Sequence, residues 1–560
     1  MRTAMKIATS GLVILGFAAI GHANEPCEIA TVWADPQVVQ YAKIVRDFQD
    51  SRTEPNFTVW IELPDGSAVD IDLGSVRLNG LEPVDGPTTL DDANQNGIAD
   101  LMVKFNRGAL ITTDGTLSVT GTKSGGCFTG DATVEIHCRP ADVDRSDYYL
   151  DYTTSNMPDA QFNGLAAQLD VHHVRPVFSE RCPEVAPIRA IVLVPGRTIQ
   201  ATAAFDLRYE DYSLMERLAM RGIDTFAVNF LGFGFSSILS GNPLENPCNA
   251  SLPLCSTSAT CTAVPGVCDC QNAAILAQNK ADQQGATRYL NPNPLAARCA
   301  HSTNKHFDRV TNQETQLDII VDDVLTKTGL DKVHLLGYSA GGPPVGKYLG
   351  DDAAHQMKIA AAIFLDSSGF GGTAGLEEQR LTTTWPLGLI DRDDMMATFN
   401  LSSTCPGQRD PAIGDAIWTA VKSRDPVGPG WGPPDGLSRY PIVSRFLWNP
   451  TVASAIEIPA LVIHGLKDNV IPPARGVEIW SSSPLQLPEV ACTSDADCDT
   501  PMYACRSFPS PAHCRLNNRL LVQLDCASHA LVWETCSGEN CASPHRIVQK
   551  RVVDWVFTGK

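Results

Sequence analysis

Val333-His-Leu-Leu-Gly337-Tyr338-Ser339-Ala340-Gly341-Gly342 runs from a short apolar stretch directly into a serine with glycine two residues away on either side. Val333 to Leu336 reads as a short buried strand, and the small residues after the serine read as the opening of a helix. A strand-to-helix turn this tight would drive side chains two positions before or after the serine into neighbouring backbone, which accounts for Gly337 and Gly341. The competing reading is a glycine-rich turn with an incidental serine. The strand before Ser339 and the helix opening after it favour a presented nucleophile instead.

Outward from this turn, from about residue 165, apolar runs alternate with helical stretches. The runs are Ala190–Val194, Thr225–Val228, Val333–Leu336, Ala360–Leu365 and Ala460–Ile463. Short apolar runs separated by helices predict an α/β fold with a mostly parallel sheet covered on both faces. One intervening helix is predicted over Gln316–Lys327, with apolar residues at 317, 319, 320, 321, 324 and 325, ended by Gly329.

A serine hydroxyl is a weak nucleophile at neutral pH. It needs an imidazole to remove its proton and a carboxylate to hold that imidazole's tautomer. Asp468 follows an apolar run and a His464-Gly465 turn, and His529 stands in Asp525-Cys-Ala-Ser-His529-Ala-Leu-Val-Trp533. Asp366, at the end of Phe364-Leu-Asp366, is a rival acid; His513 and His545 are rival bases.

These features resemble the α/β-hydrolase superfamily, over residues 165–560. Asn229-Phe-Leu-Gly232-Phe-Gly234-Phe-Ser236 is similar to the family's D-x-x-G-x-G-x-S segment, with Asn in place of Asp. Ile458-Pro459-Ala-Leu-Val-Ile-His464-Gly465-Leu-Lys-Asp468-Asn-Val-Ile-Pro472 resembles the segment that carries the family's acid. The resemblance implies a Ser339–Asp468–His529 triad and an oxyanion hole. One donor of that hole would be the N–H of Ala340. The other would come from the turn Val194-Pro195-Gly196-Arg197-Thr198, with Arg197 favoured and Thr198 second. Relatives usually carry His-Gly where this chain has Pro195-Gly196. A serine at the elbow argues against the haloalkane dehalogenase and epoxide hydrolase branches, which carry aspartate there. The 61 residues from Asp468 to His529 exceed the usual spacing, which an insertion at 485–520 explains.

Three insertions are expected: 240–306 and 485–520, both cysteine-rich, and 370–450, whose Trp385, Trp418, Trp431 and Trp448 suggest a lid. The acyl-transfer reading implies a serine hydrolase of esterase or lipase type, acting on small-molecule or polymeric carboxylic esters, with no cofactor for catalysis. Amide or peptide cleavage by the same machinery stays open. So does a non-catalytic binding protein on a hydrolase scaffold.

Residues 24–150 read differently. Phe57-Thr-Val-Trp-Ile-Glu-Leu, Val69-Asp-Ile-Asp-Leu, Thr116-Leu-Ser-Val-Thr and Ala132-Thr-Val-Glu-Ile alternate apolar and polar residues between Asp-Gly turns, which predicts a small all-β module. Val38–Phe48 is consistent with a short helix. Within the module, Asp92-Ala-Asn94-Gln-Asn96-Gly97-Ile98-Ala-Asp100 places oxygen side chains at positions 1, 3, 5 and 9 of a loop with Gly at 6, which matches the first part of a Ca2+ loop. Val103 at position 12 rules out an EF-hand. A structural Ca2+ held by Asp92, Asn94, Asn96, Ile98 and Asp100 is expected, with any further ligand from Asp91. The alternative is a solvated Asx-Gly turn. His172-His173 suggests no metal site, since neighbours on a strand point to opposite faces and one should lie at the surface.

Arg2 and Lys6, an apolar run from Gly11 to Ile20 and a small-residue ending at Ala23 read as a signal peptide over residues 1–23. Eighteen cysteines fit an oxidising compartment, so a secreted, periplasmic or extracellular location is expected. No later run approaches the length of a membrane span. The formal charge of −20 disfavours nucleic acid and anionic membranes as partners.

Overall fold

The computed structural model describes residues 27–559 apart from 50–55, 85–87, 114, 156–162, 181–187, 238–309, 372–387, 401–403, 427–428, 430–434, 437, 441–446, 483–502, 507–512, 517–518 and 537–541. The expected signal peptide, the 240–306 insertion, Trp385, Trp431 and most of 485–520 lie outside the described residues. The chain divides into two compact units, residues 1–137 and 138–560. Among the described residues no helix is long and apolar enough to cross a membrane.

The first unit is β-rich. One four-stranded sheet runs Thr31–Asp35, Asn56–Glu62, Asp100–Asn106, Thr89–Asp91; another runs Glu28–Ile29, Gly126–Thr133, Thr116–Lys123, Arg77–Leu78. The predicted period of two is visible in burial. Phe57, Val59 and Ile61 are buried on one strand, facing Leu101, Val103 and Phe105 on its neighbour, while the alternate residues Thr58, Trp60, Met102 and Lys104 are half-buried. A helix at Tyr41–Gln49 occupies most of the expected helical stretch. Cys27 and Cys127 form a disulfide.

The second unit is built on an eight-stranded sheet. Its strands are β1 (Asp142–Thr153), β2 (Ala166–Val177), β3 (Arg189–Val194), β4 (Ile223–Asn229), β5 (Val333–Tyr338), β6 (Ile359–Leu365), β7 (Ala460–Gly465) and β8 (Arg519–Leu524). Their spatial order is β1-β2-β4-β3-β5-β6-β7-β8. Strand β2 is antiparallel to both neighbours, and the pairings from β4 to β8 are all parallel. The boundary falls earlier than residue 150, because β1 pairs with β2 along its whole length and belongs to this sheet. A polar edge strand such as Asp142-Val-Asp-Arg-Ser-Asp resembles the alternating strands before it, so periodicity alone assigned it to the wrong unit.

Helix α1 (Val310–Thr328) buries Leu317, Ile320, Val321 and Val324 completely, as the spacing predicted, and Gly329 closes it at a φ of 68° by donating its N–H to the Leu325 carbonyl. Helix α2 (Gly342–Asp351) follows the elbow and packs Val345, Tyr348 and Leu349 into the same core. Trp448, expected in a lid, is wholly buried in this core and stacks on Phe364, with centroids 6.0 Å apart. Trp418 is also buried, on a helix at Ile413–Ser423, and donates its indole N–H to the Asp435 carbonyl at 3.1 Å. The expectation of a lid tryptophan is therefore corrected for Trp448, which serves packing in the sheet core.

Candidate active site

Ser339 directly follows β5 with a φ of 52°, a left-handed conformation that a non-glycine residue adopts only when its surroundings enforce it. A Cβ on Gly337 would stand 2.6 Å from the Gly341 carbonyl oxygen, and one on Gly341 would stand 2.4 Å from the Val194 oxygen. Both contacts are closer than real Cβ atoms make, which is the collision the elbow's glycines avoid.

The His529 ring lies between Ser339 and Asp468. Its Nε2 is 2.8 Å from the Ser339 hydroxyl and its Nδ1 is 2.7 Å from Asp468 Oδ2. All three are buried, with 7%, 2% and 7% of the surface of Ser339, Asp468 and His529 exposed. Asp468 Oδ1 accepts the backbone N–H groups of Val470 and Ile471, both at 2.8 Å. Three hydrogen bonds to one carboxylate fix its orientation.

Asp366 is fully buried but bonds elsewhere, accepting the Gly465 N–H at 2.8 Å. Burial, and then the charge of Asp468, push its carboxyl well above the usual carboxylate range. Asp366, His464 and Asp468 are the one cluster of three metal-ligating side chains of the His, Cys, Asp and Glu types among the described residues. His464 Nε2 contacts the Ile471 carbonyl at 2.8 Å and Asp468 holds His529, while His464 Nδ1 and Asp366 Oδ2 are buried without a hydrogen-bond partner.

The loop carrying His529 is held on several sides. The Tyr338 hydroxyl donates to the His529 carbonyl, and its ring stacks on the imidazole with centroids 5.6 Å apart. Buried Glu534 accepts the Ser528 N–H at 2.8 Å, the Ser528 hydroxyl, and the Gln408 carboxamide at 3.0 Å. Cys526 is disulfide-bonded to Cys405, and Lys467 N–H donates to the Ala527 carbonyl at 2.8 Å. Sequence reasoning missed Tyr338, Glu534, Gln408 and Cys405, because nothing in a local motif marks residues that meet only in the fold.

It is His529 among the three candidate bases that bonds the Ser339 hydroxyl. His545, on the helix Pro544–Thr558, contacts the Glu534 carbonyl at 2.6 Å and Asp211 at 3.2 Å. His513 falls on a short strand, His513–Leu516, paired with Tyr503–Arg506. The turn after β3 does reach the serine, since a Cβ on Gly196 would lie 2.9 Å from that of Ser339. Arg197 in that turn is exposed, and Thr198 has a φ of 77°. Ala340 sits at the first turn of the following helical segment, where backbone N–H groups have no partner within the helix.

Asn229 has a physical reason to differ from the family's aspartate. Its carboxamide donates to Asp170 at 2.9 Å and accepts the Ala201 N–H at 2.9 Å. Asp170 is buried on β2, so an aspartate at 229 would set two buried carboxylates against each other.

Neither histidine of the 172–173 pair is a free surface residue. His172 is buried between Asp147 at 2.7 Å and Asp206 at 2.9 Å, and His173 bonds Asp224 at 2.6 Å and stacks on Phe226. Both faces of β2 are covered here, so the expected surface histidine is corrected to a second paired one. Asp92, Asn94, Asn96, Ile98 and Asp100, expected to hold a cation, lie in the first unit in and beside the loop between Thr89–Asp91 and Asp100–Asn106. Asp91, the expected source of a further ligand, is exposed and accepts the Asp92 N–H at 2.9 Å.

Residues 189–385 match the sequence model of the alpha/beta hydrolase fold family. No curated protein matches the chain in sequence. Solved structures with a similar fold include the thioesterase domain from the curacin biosynthetic pathway (11% identical, TM-score 0.36, covering 74% of this chain and 100% of that one). They also include an esterase from Rhodococcus sp. (13%, 0.35, 74% and 99%) and a monoacylglycerol lipase from Paleococcus ferrophilus (13%, 0.33, 74% and 100%).

Proposed function

Since this chain carries a domain of the α/β-hydrolase fold, we propose that it is a serine hydrolase that cleaves carboxylic esters through an acyl-enzyme. The observation that carries the reading is the continuous hydrogen-bond chain from the Ser339 hydroxyl through His529 to Asp468.

In this reading His529 Nε2 takes the proton of Ser339 as its oxygen attacks the acyl carbonyl. Asp468 holds the Nδ1–H tautomer and stabilises the imidazolium that forms. The developing oxyanion is met by the N–H of Ala340 and by that of Arg197 in the turn that packs against Ser339. His529 then returns the proton to the leaving alcohol, and water, activated by the same imidazole, releases the acid. Backbone donors suit this task because they are held in place before charge develops and need no reorganisation.

Two disulfides, Cys27–Cys127 and Cys405–Cys526, support a secreted protein folded in an oxidising compartment. The charge of −20 argues against anionic polymers as substrates and leaves small or neutral polymeric esters.

The test is labelling of the purified chain with a fluorophosphonate probe, alongside Ser339→Ala. Labelling of the wild type and its loss in the variant are expected; equal labelling of both would overturn the assignment. Rates on p-nitrophenyl esters against matched anilides then separate esterase from amidase, with the esters expected to react faster.

A further inference from the structure

Glu62 and Asp100 are directly opposed across the antiparallel pair Asn56–Glu62 and Asp100–Asn106, and Asp91 continues the same row on the next strand. They stand on the outward face of the sheet, where their neighbours Trp60 and Met102 are only half-buried. Yet Glu62 is 8% exposed and Asp100 is 0% exposed, because the loop 92–99 covers them. Opposed like charges destabilise a strand pair even in water, and removing them from water raises the cost. Among the described residues no Lys, Arg or His forms an ion pair with either.

The covering loop turns N–H and carboxamide groups towards this pair, while the Asn94 and Asn96 side-chain oxygens accept the Asn96 and Ile98 backbone N–H groups at 3.1 and 2.8 Å. Asp100 Oδ2 accepts the Ala93 N–H at 2.8 Å, whereas Oδ1 of the same carboxylate is buried without a hydrogen-bond partner. The carboxamides of Asn94 and Asn96 both donate to Glu62 Oε2, at 2.8 and 2.6 Å, two partial positive charges converging on one carboxylate oxygen. Asp92 accepts the N–H groups of Asn96 and Gly97, both at 2.9 Å, and Gly97 permits the reversal with a φ of 86°. Carboxylate oxygens that accept one hydrogen bond retain lone pairs for a metal.

We propose that this pocket closes around Ca2+, with Glu62 of the adjacent strand completing a ligand set of Asp92, Asn94, Asn96, the Ile98 carbonyl and Asp100, the three carboxylates drawing together and the two carboxamides turning their oxygens to the ion. Every donor is an oxygen and none is imidazole or thiolate, which selects a hard cation. Six protein oxygens from the loop and the two strands beside it suit Ca2+, whereas Mg2+ demands a tighter octahedron and keeps several of its waters. The ion would neutralise the Glu62–Asp100 repulsion and clamp the loop to the sheet, a structural role.

The experiment uses the full chain stripped with chelator and then dialysed, with Tb3+ luminescence as the probe. Sensitised Tb3+ emission is expected, displaced by Ca2+ and not by a tenfold higher concentration of Mg2+. Glu62→Gln, and the exposed-site variant Asn94→Ala, should each weaken Ca2+ displacement at least tenfold. Ca2+ should also raise the melting temperature of the first unit by about 5 °C or more in the wild type, and by much less in Glu62→Gln. In chelator the order reverses, with Glu62→Gln at least as stable as wild type because it relieves the repulsion. Absence of Tb3+ binding, or a Glu62→Gln that is destabilised equally with and without Ca2+, would overturn the proposal in favour of a metal-free hydrogen-bond cluster. Equal displacement by Mg2+ would overturn the assignment to Ca2+.

Discussion

Asp366 and Asp468 bring ligating oxygens within 4.8 Å of each other in a buried setting, and only Asp468 bonds His529. Asp468→Asn should reverse the tautomer preference of His529 and lower kcat by roughly 10³- to 10⁴-fold. Asp366→Asn replaces a carboxyl already held in its neutral form, so kcat should change less than about tenfold and thermal stability should hold. Ester kinetics of the two variants, with melting curves, check both; equal losses would refute the division of roles.

Gly196 has no room for a methyl group beside Ser339. Gly196→Ala is expected to push the elbow out of alignment and lower kcat by about 10²-fold while the melting temperature moves little, because the strain falls at the site and not in the core. The comparison of kcat with the unfolding midpoint is the measurement.

Cys405 and Cys526 join positions 121 residues apart, and Cys526 is three residues before His529. The double variant Cys405→Ser/Cys526→Ser should lose roughly 2–4 kcal/mol of stability. It should also lose activity before it unfolds, since the His529 loop then relies on Glu534, Tyr338 and the Lys467 N–H. Denaturant titration read by both ester hydrolysis and fluorescence would reveal the gap between the two midpoints.

His334, buried in β5 beside the Ala190 carbonyl, is held down to about 3 by burial, with Arg189 adding to the effect. Its folded value is depressed below the unfolded one, so its contribution is complete above about pH 6.5 and is lost as pH falls towards 3. Stability measured by denaturant at pH 7, 5.5 and 4.5 should fall, and His334→Leu should show a shallower fall, by up to one proton in the slope. Identical slopes would contradict this.

Much of the second unit was legible in the sequence because its central strands are short, mostly apolar and separated by helices, a pattern no other layered fold produces as readily. The strand Asp142–Thr153 was not legible as part of it, because an edge strand needs only one buried face. Trp448 was misread for a related reason: an aromatic among Pro and Gly looks like lid, and only packing against Phe364 and Phe370 shows it to be core.

The sequence by itself marked Ser339 as the candidate nucleophile, since the elbow is set by local backbone sterics within a few residues. It also narrowed the acid to two and the base to three, and it marked the oxygen-rich loop at 92–100. Tertiary structure set Asp468, and not Asp366, against the His529 ring, because the hydrogen bonds of the two carboxyl groups come from segments far apart in the chain. It also brought Tyr338, Glu534 and Cys405 to the His529 loop, and set Glu62 opposite Asp100. Each of these is a pairing across strands or loops, and cross-strand register leaves no trace in the local order of residues.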